Sequence, residues 1–557
     1  MLARVPSYLL SGIDALPCEV EVHHDDLVIP DGGPKVTIVG LPDTAVKESS
    51  ERVRTALTNS GYFFPVGRLL VNLAPADVRK EGPVYDLPIA VGLLIASGVV
   101  PPAPREPTSF TRGVHPSALA AKHAEGKAGV GLPPVRPGAA APEFEPLDVR
   151  RFIFAGELAL DGRVRPIKGA IALASMAKSM KMQGVIVPAD NATEAAVVDG
   201  IDVLGVRTLA ELVGLLTGRL EAQPQPAPDV VQLLGTAKPA IDFADVRGQE
   251  GVKRAIVVAA AGAHNLLILG PAGTGKTMMA KALPGVLPPL SPEEAIEITR
   301  IYSAAGALAP GQGLVTTRPV RTPHHTASGA AIVGGGMIPR PGEVTLAHRG
   351  VLFLDELPEF PRDVLETLRQ PMEDHVVTIS RAHGSVRFPA SFMLVAAMNP
   401  TPKGDVPADQ VGRAAMERYL SKLSGPLLDR IDIHVEAPAV PWKELSRGMS
   451  GAPGPRGTST AEMREKTLAA RKRQDARQGV GVPNSRLSGK QLDALAPMSR
   501  DAQTLLGQAM TEMGLSARAY DKIRRLSRTI ADLEARDNIE VNDVAEAVQY
   551  RLLDRKI

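Results

Sequence analysis

The chain has 557 residues, more than one hydrophobic core organises, so several domains are expected. Its 44% hydrophobic and 22% charged residues suit a globular protein, and a net charge of +2 excludes a whole-chain basic surface, leaving only local patches for nucleic acid. Aromatics at 3% argue against broad base-stacking platforms, and a single cysteine, Cys18, excludes an internal disulfide or a multi-cysteine metal site. The opening MLARVPSYLLSGIDALP lacks the apolar core of a secretory signal, and no stretch reaches the roughly 20 apolar residues that span a bilayer, so a cytosolic protein without a membrane partner is expected.

In chain order, strand-like runs (KVTIVG, RLLVNLA, RFIFAGELAL, GVIVP) alternate with helical ones, Thr44 to Asn59 and Gly169 to Met180 among them. This reads as an α/β or α+β domain over 1–218. An Ala/Pro/Gly-rich stretch at about 101–148 interrupts it and reads as a disordered insert. Residues 219–240, with Pro at alternate positions, read as a semi-extended linker. An α/β unit follows over 241–440. A Gly/Pro/Ser-rich break at 447–460 then separates it from a Leu-, Ala- and Arg-rich helical lid, the whole tail being 441–557.

Residues 270–277 read GPAGTGKT after the apolar run 265–269 and match G-x-x-x-x-G-K-[ST] in full. Glycines let backbone N–H groups wrap phosphates, Lys276 supplies a point charge and the Thr277 hydroxyl can ligate Mg²⁺. The nucleotide-binding set is therefore Gly270, Pro271, Ala272, Gly273, Thr274, Gly275, Lys276 and Thr277. Val351 to Leu354 reads as a buried strand with Asp355 and Glu356 at its C-terminal end, where α/β sheets bind ligands. Asp355 would hold Mg²⁺ through water, and Glu356 would orient or deprotonate the attacking water. A third strand, Phe392 to Met398, ends in Asn399-Pro400, which is either a γ-phosphate contact or a simple turn. Arg430 is either a surface ion pair with Asp429 or Asp432, or an arginine finger acting on a neighbouring subunit.

Two inserts decorate this unit. Residues 310–342 interrupt the helix that starts at the capping box Ser291 to Glu294. Their adjacent His324 and His325 are poorly placed to aim both rings at one metal. Residues 375–390 read as a β-hairpin with Arg381, His383 and Arg387 near its tip, either a solvated hairpin or a grip on phosphates.

The order of these motifs, completed by Ser516-Ala517-Arg518, resembles an AAA+ ATPase. The segments HNLLILGPAGTGKTMMA, RTPHHTASGAAIVGGG, HRGVLFLDELPEF and LSGPLLDRIDIHVEAP resemble the ComM/YifB family of magnesium-chelatase-like AAA+ proteins. That resemblance implies an ATP- and Mg²⁺-dependent homo-hexameric ring with Asn399 as first sensor, Arg430 as finger and Arg518 as second sensor. It further implies a helicase for branch migration in recombination and natural transformation, acting on single-stranded or branched DNA with recombination proteins as further partners. In related helicases such hairpins point into the pore. A magnesium-chelatase motor subunit that remodels a metal-inserting partner is the alternative, and a protein-remodelling machine a third reading. Many family members carry cysteines after the Asn-Pro, whereas NPTPKGDVPADQVGRAAMERYL has none, so no zinc is expected. In the first domain, ELALDGRVRPIKGAIALASMA and RKEGPVYDLPIAVGLL resemble the Lon-type protease domain. Val84 then stands at the serine position and Ile171 at the lysine position, so a retained fold without proteolysis is expected. A dyad shifted to Ser175 and Lys178 is the competing reading.

Overall fold

The computed structural model describes residues 1–25, 35–101, 143–236, 241–309, 311–336, 339–381, 384–401, 419, 422–440 and 457–551. The chain packs as two compact units, Met1–Asp229 with Tyr302–Leu314, and Val230–Ile301 with Val315–Ile557.

Unit 1 is α/β, as read, but opens on two long strands, Leu2–Ser11 and Asp14–Asp25, that composition alone did not reveal. They pair antiparallel from Leu2 opposite His23 to Ser11 opposite Asp14. The strands Arg68–Ala74 and Lys35–Val39 extend this sheet, and Phe152–Phe154, Gly184–Pro188 and Asp202–Val206 form a second, parallel one. The helix Asp86–Ala96 buries every residue it has, as an all-round apolar helix must. Gly92 lets it approach the sheet, since a Cβ there would stand 2.4 Å from Val22 Cγ2. Most of the 101–148 insert lies outside the described residues. Its C-terminal flank is ordered, with the Glu143 and Phe144 N–H groups donating to Gly218 O at 3.0 and 2.9 Å. Within the 219–240 stretch, Gln225 N–H donates to Val203 O at 2.8 Å, and Val230–Gly235 is a helix with no buried residue.

Unit 2 is built on a five-stranded sheet in the order Val320–Arg321, Val351–Leu354, Met393–Met398, Leu266–Leu269, Ile433–Glu436, every neighbouring pair parallel. Three of these strands, Leu266–Leu269, Val351–Leu354 and Met393–Met398, are buried along their whole length, which explains their near-continuous apolar runs. From Thr460 the α-helices are Thr460–Gln478, Gly489–Leu495, Arg500–Glu512, Ala517–Leu533 and Val541–Gln549 among the described residues. Ile523, Leu526 and Ile530 share one apolar core with Val252, Ile256 and Leu266, so these helices and the sheet fold around common contacts. No described helix is long and apolar enough to cross a membrane.

Candidate ATP site

The strand Leu266–Leu269 delivers the chain into GPAGTGKT between its two parallel neighbours. Gly270 has to be glycine, because a Cβ there would lie 2.3 Å from Ala437 O, and its N–H donates to Met398 O at 3.1 Å. Gly273 and Gly275 take φ of 80° and 84°, which turns the loop back on itself before the helix Lys276–Ala282.

Lys276 is buried, and its ammonium donates to Gly270 O at 2.7 Å, Pro271 O at 2.8 Å and Asn399 Oδ1 at 3.1 Å. All three acceptors are neutral, so a phosphate oxygen can replace any of them at a gain in charge pairing. Burial pushes the Lys276 pKa down, and Asp355 and Glu356 oppose that shift. Asn399 thus stands against Lys276, just past the strand Met393–Met398 and ahead of a bend at Pro400.

Thr277 Oγ1 donates to Asp355 Oδ2 at 2.8 Å, while Asp355 Oδ1 accepts the Glu356 N–H at 3.1 Å. A hydroxyl and a carboxylate side by side are hard oxygen donors that fit Mg²⁺, an ion that keeps several waters and shares its remaining ligands with substrate phosphates. Among the described residues no group of three His, Cys, Asp or Glu side chains could hold a metal. Most of the segment read for zinc, 399–420, lies outside the described residues. Glu356 has a left-handed backbone (φ 53°) and a half-exposed side chain.

Arg430 pairs with neither Asp429 nor Asp432. Its guanidinium pairs with Glu373 and donates through NH1 to Pro426 O at 2.6 Å. Asp432 is occupied elsewhere, 3.1 Å from both His264 Nδ1 and Lys522 Nζ. Burial pushes its carboxyl up, but Lys522 and His264 outweigh this and hold it well below the usual range. Arg430 lines a cavity of about 1320 Å³ together with Arg518, Arg471, Arg486 and Arg525, and no residue of 270–277 lines it. The structure therefore groups Arg518 with Arg430 and not with Lys276.

The 375–390 hairpin is formed by Val376–Arg381 and Gly384–Pro389. Val377, Ile379 and Phe388 face inward, and Thr378, Ser380 and Arg387 outward. Arg381 sits at the tip opposite Gly384, but Arg387 pairs with Thr378, three rungs back. Arg387 is thus a mid-strand residue, because the two strands stay paired as far as Arg381 and Gly384, where the sequence reading placed the turn. Arg381 donates through Nε to Gly336 O at 3.0 Å. His383 lies outside the described residues.

In unit 1, Val84 is half-buried and Ile171 fully buried. Ser175 donates its hydroxyl to Ile171 O at 2.8 Å, and Lys178 is exposed. Sequence reading gave no role to the side chains of His264, Glu373 and Lys522. Only folding gives them partners.

A buried parallel sheet with a phosphate loop, a Thr–Asp pair and a carboxylate at its C-terminal edge defines a P-loop ATPase of the AAA+ class. Family models agree: "Magnesium chelatase, subunit ChlI" matches residues 242–445, "Subunit ChlI of Mg-chelatase" matches 25–110 and 139–191, and "Magnesium chelatase, subunit ChlI C-terminal" matches 457–551. The chain is 40% identical over 557 residues to YifB of Salmonella typhimurium, covering 100% of this chain and 98% of that protein. It is 39% identical over 559 residues to competence protein ComM of Haemophilus influenzae, covering 100% and 98%. The magnesium-chelatase 38 kDa subunit of Rhodobacter capsulatus is 29% identical over 188 residues, 30% of this chain and 53% of that one. The chain belongs to the ComM/YifB family of magnesium-chelatase-like AAA+ proteins.

Proposed function

We propose that this chain is an ATP-driven DNA motor that works as a homo-hexameric ring in the cytoplasm and promotes branch migration of recombination intermediates, acting with recombination proteins. The similarity to a competence protein over the full length supports this reading. The observation that carries it is mechanical. The hairpin Val376–Pro389 runs within three residues into the strand Met393–Met398, and that strand ends at Asn399, which bonds Lys276. A change at the γ-phosphate has a continuous path to Arg381 along these two strands.

In this reading Lys276 and the loop N–H groups hold the phosphates, and Thr277 with Asp355 would hold Mg²⁺, which supplies charge neutralisation when bound. Glu356 takes a proton from the attacking water, Asn399 senses the γ-phosphate, and Arg430 acts in the neighbouring subunit's site. Arg518, on the same cavity as Arg430, would act on that same neighbouring nucleotide. No zinc is required. The architecture proposed is a Lon-protease-like domain over 1–218 without proteolysis, a linker over 219–240, an ATPase core over 241–440 and a helical lid over 441–557. Buried Ile171 and half-buried Val84 can supply neither a nucleophile nor a base.

A magnesium-chelatase motor subunit is the second reading, favoured by the three chelatase-type models. Against it, the Rhodobacter capsulatus subunit matches only 30% of this chain. Changing Arg381 and Arg387 together to Ala tests the DNA reading. DNA-stimulated ATPase and strand displacement on a three-stranded substrate should fall, with basal hydrolysis retained, and the parent's stimulation should weaken with salt. Full displacement by the double variant would move the grip elsewhere. An ATPase indifferent to DNA in the parent protein would favour the chelatase reading.

A further inference from the structure

Arg430 sits in a short turn, 429–432, between the helix Gly425–Leu428 and the strand Ile433–Glu436. The N–H groups of this turn find backbone partners. Asp429, Arg430 and Ile431 donate to Gly425 O, Leu427 O and Leu428 O at 2.8, 2.9 and 3.0 Å, and Asp432 donates to Asn265 O at 3.1 Å. Its carbonyls have no such neighbours and are held by side chains from distant parts of unit 2. Lys522 Nζ donates to Asp429 O, and again to Ile431 O at 3.4 Å. Asn265 Nδ2 donates to Arg430 O at 3.0 Å, and Arg551 Nη1 donates to Ile431 O at 2.7 Å.

Lys522 is the centre of this set. It is buried, and its ammonium also stands 3.1 Å from Asp432 Oδ1, so it grips the turn on both sides of Arg430. A buried ammonium is costly unless it is paired and hydrogen-bonded, and a carboxylate with two carbonyls meets that need here. The backbone beneath Arg430 is thereby fixed, while its guanidinium can exchange a half-exposed partner, Glu373, for another anion. Lys522 also belongs to the helix Ala517–Leu533, one turn beyond Arg518 and on the same face. Arg430, Arg518 and Lys522 all line the cavity described above.

We propose that Lys522 is a positioning residue for Arg430. Its ammonium fastens the turn that carries Arg430 to the helix that carries Arg518, so that both guanidiniums reach a neighbouring subunit's nucleotide as one body. A charge that must meet a transition state works only from a fixed place, and a misplacement of about 1 Å costs up to about 100-fold. This inference rests on Arg430 acting across an interface, and the experiment keeps the two apart.

ATPase would be measured on the full chain for Lys522→Met, Lys522→Met/Asp432→Asn and Arg430→Ala, with thermal unfolding and nucleotide binding alongside. The double variant removes both buried charges together, which avoids stranding the Asp432 carboxylate and keeps the fold. In both Lys522 variants kcat should fall by roughly 10-fold or more, with ATP affinity unchanged. Mixing either with Glu356→Gln subunits should restore part of the turnover, because an intact Lys522 and Arg430 then face an intact Glu356. A residue that only steadied its own subunit's site would give no such recovery. Adding Arg430→Ala to the double variant should make it no slower than Arg430→Ala alone, since the two residues act as a unit. Parent-like kcat in the double variant overturns the proposal, and so does loss of fold in both Lys522 variants, which would mark a role in stability alone. A loss that mixing leaves in place while Arg430→Ala recovers in the same mixture also overturns it, as does a triple variant slower than Arg430→Ala. Parent-like turnover by Arg430→Ala, or its failure to recover in mixed rings, would instead remove the finger in trans, and the proposal with it.

Discussion

Both units hold buried charged side chains in closed arrangements, but the site at Lys276 in unit 2 commits its charge differently. In unit 1, Asp86 is fully buried, and its oxygens accept two bonds from Arg52, at 2.9 and 3.1 Å, and one from the Leu158 N–H at 3.2 Å. Burial pushes that carboxyl up, and Arg52 opposes the shift. Glu194, also buried, accepts from Ile171 N–H at 2.9 Å, Asn191 Nδ2 at 3.1 Å and the Ser303 hydroxyl. These are closed arrangements within the fold of unit 1. In unit 2, Lys276 is equally buried, but its partners are neutral oxygens beside an open strand edge, next to a carboxylate with room to move. Burial of charge therefore does not mark a functional site. What marks one is burial with exchangeable partners at the C-terminal end of a parallel sheet.

The comparison breaks most visibly at Lys276 and Glu356. Lys276→Ala should weaken nucleotide binding, and Glu356→Gln should bind ATP normally while turnover drops by about 10³-fold, a barrier increase of about 4 kcal/mol. Parent-like binding and turnover in both variants would erase the contrast.

Arg52→Met should leave nucleotide chemistry aside and destabilise unit 1 by about 3 kcal/mol, the cost of an unpaired buried carboxylate. Chemical denaturation followed by a probe in unit 1 reads this directly. A stable variant would mean that Asp86 is as uncommitted as Lys276.

Arg430→Ala sharpens the distinction between complete and incomplete sites. Turnover should fall by about 10²-fold or more with ATP binding retained. Mixing this variant with Glu356→Gln should restore part of the activity at interfaces that join an intact Arg430 to an intact Glu356. Mixed rings, verified by native mass spectrometry, that stay inactive at every ratio would count against a finger acting in trans.

The smallest effect concerns Glu297. The His348 ring, with Nε2 3.1 Å from its Oε1, and Arg349 together outweigh burial and lower its pKa from 4.5 to about 2. A depressed carboxylate contributes stability that is present above its unfolded value and lost as pH falls toward its folded one. Glu297→Gln should therefore unfold more easily than the parent above about pH 4.5, with the difference shrinking toward pH 2. A constant difference across that window would assign Glu297 a packing role alone.

Much of unit 2 was legible from residue order because its chemistry is local. A phosphate loop needs glycines at fixed spacing, and a fully buried parallel strand needs consecutive apolar residues, so GPAGTGKT and VLFLDE announce themselves. The hairpin at 375–390 was legible for the same reason, with alternation on both sides of a short turn. The first two strands of unit 1 were not, since their pattern mixes exposed and buried residues of similar polarity, and only pairing Leu2 through Ser11 with the next strand defines them. The partners of charged groups were not legible either. Arg430 stands beside Asp429 and near Asp432 in the chain, yet it meets Glu373, because Lys522 and His264 occupy Asp432. His325 and Glu356 are 31 positions apart, and a parallel register with equal offsets makes them neighbours. Sequence by itself determined the motifs, whose physics is confined to a few adjacent peptide units. Tertiary structure alone decided which side chains share a charge, because ion pairs depend on distances that only the packed sheet sets.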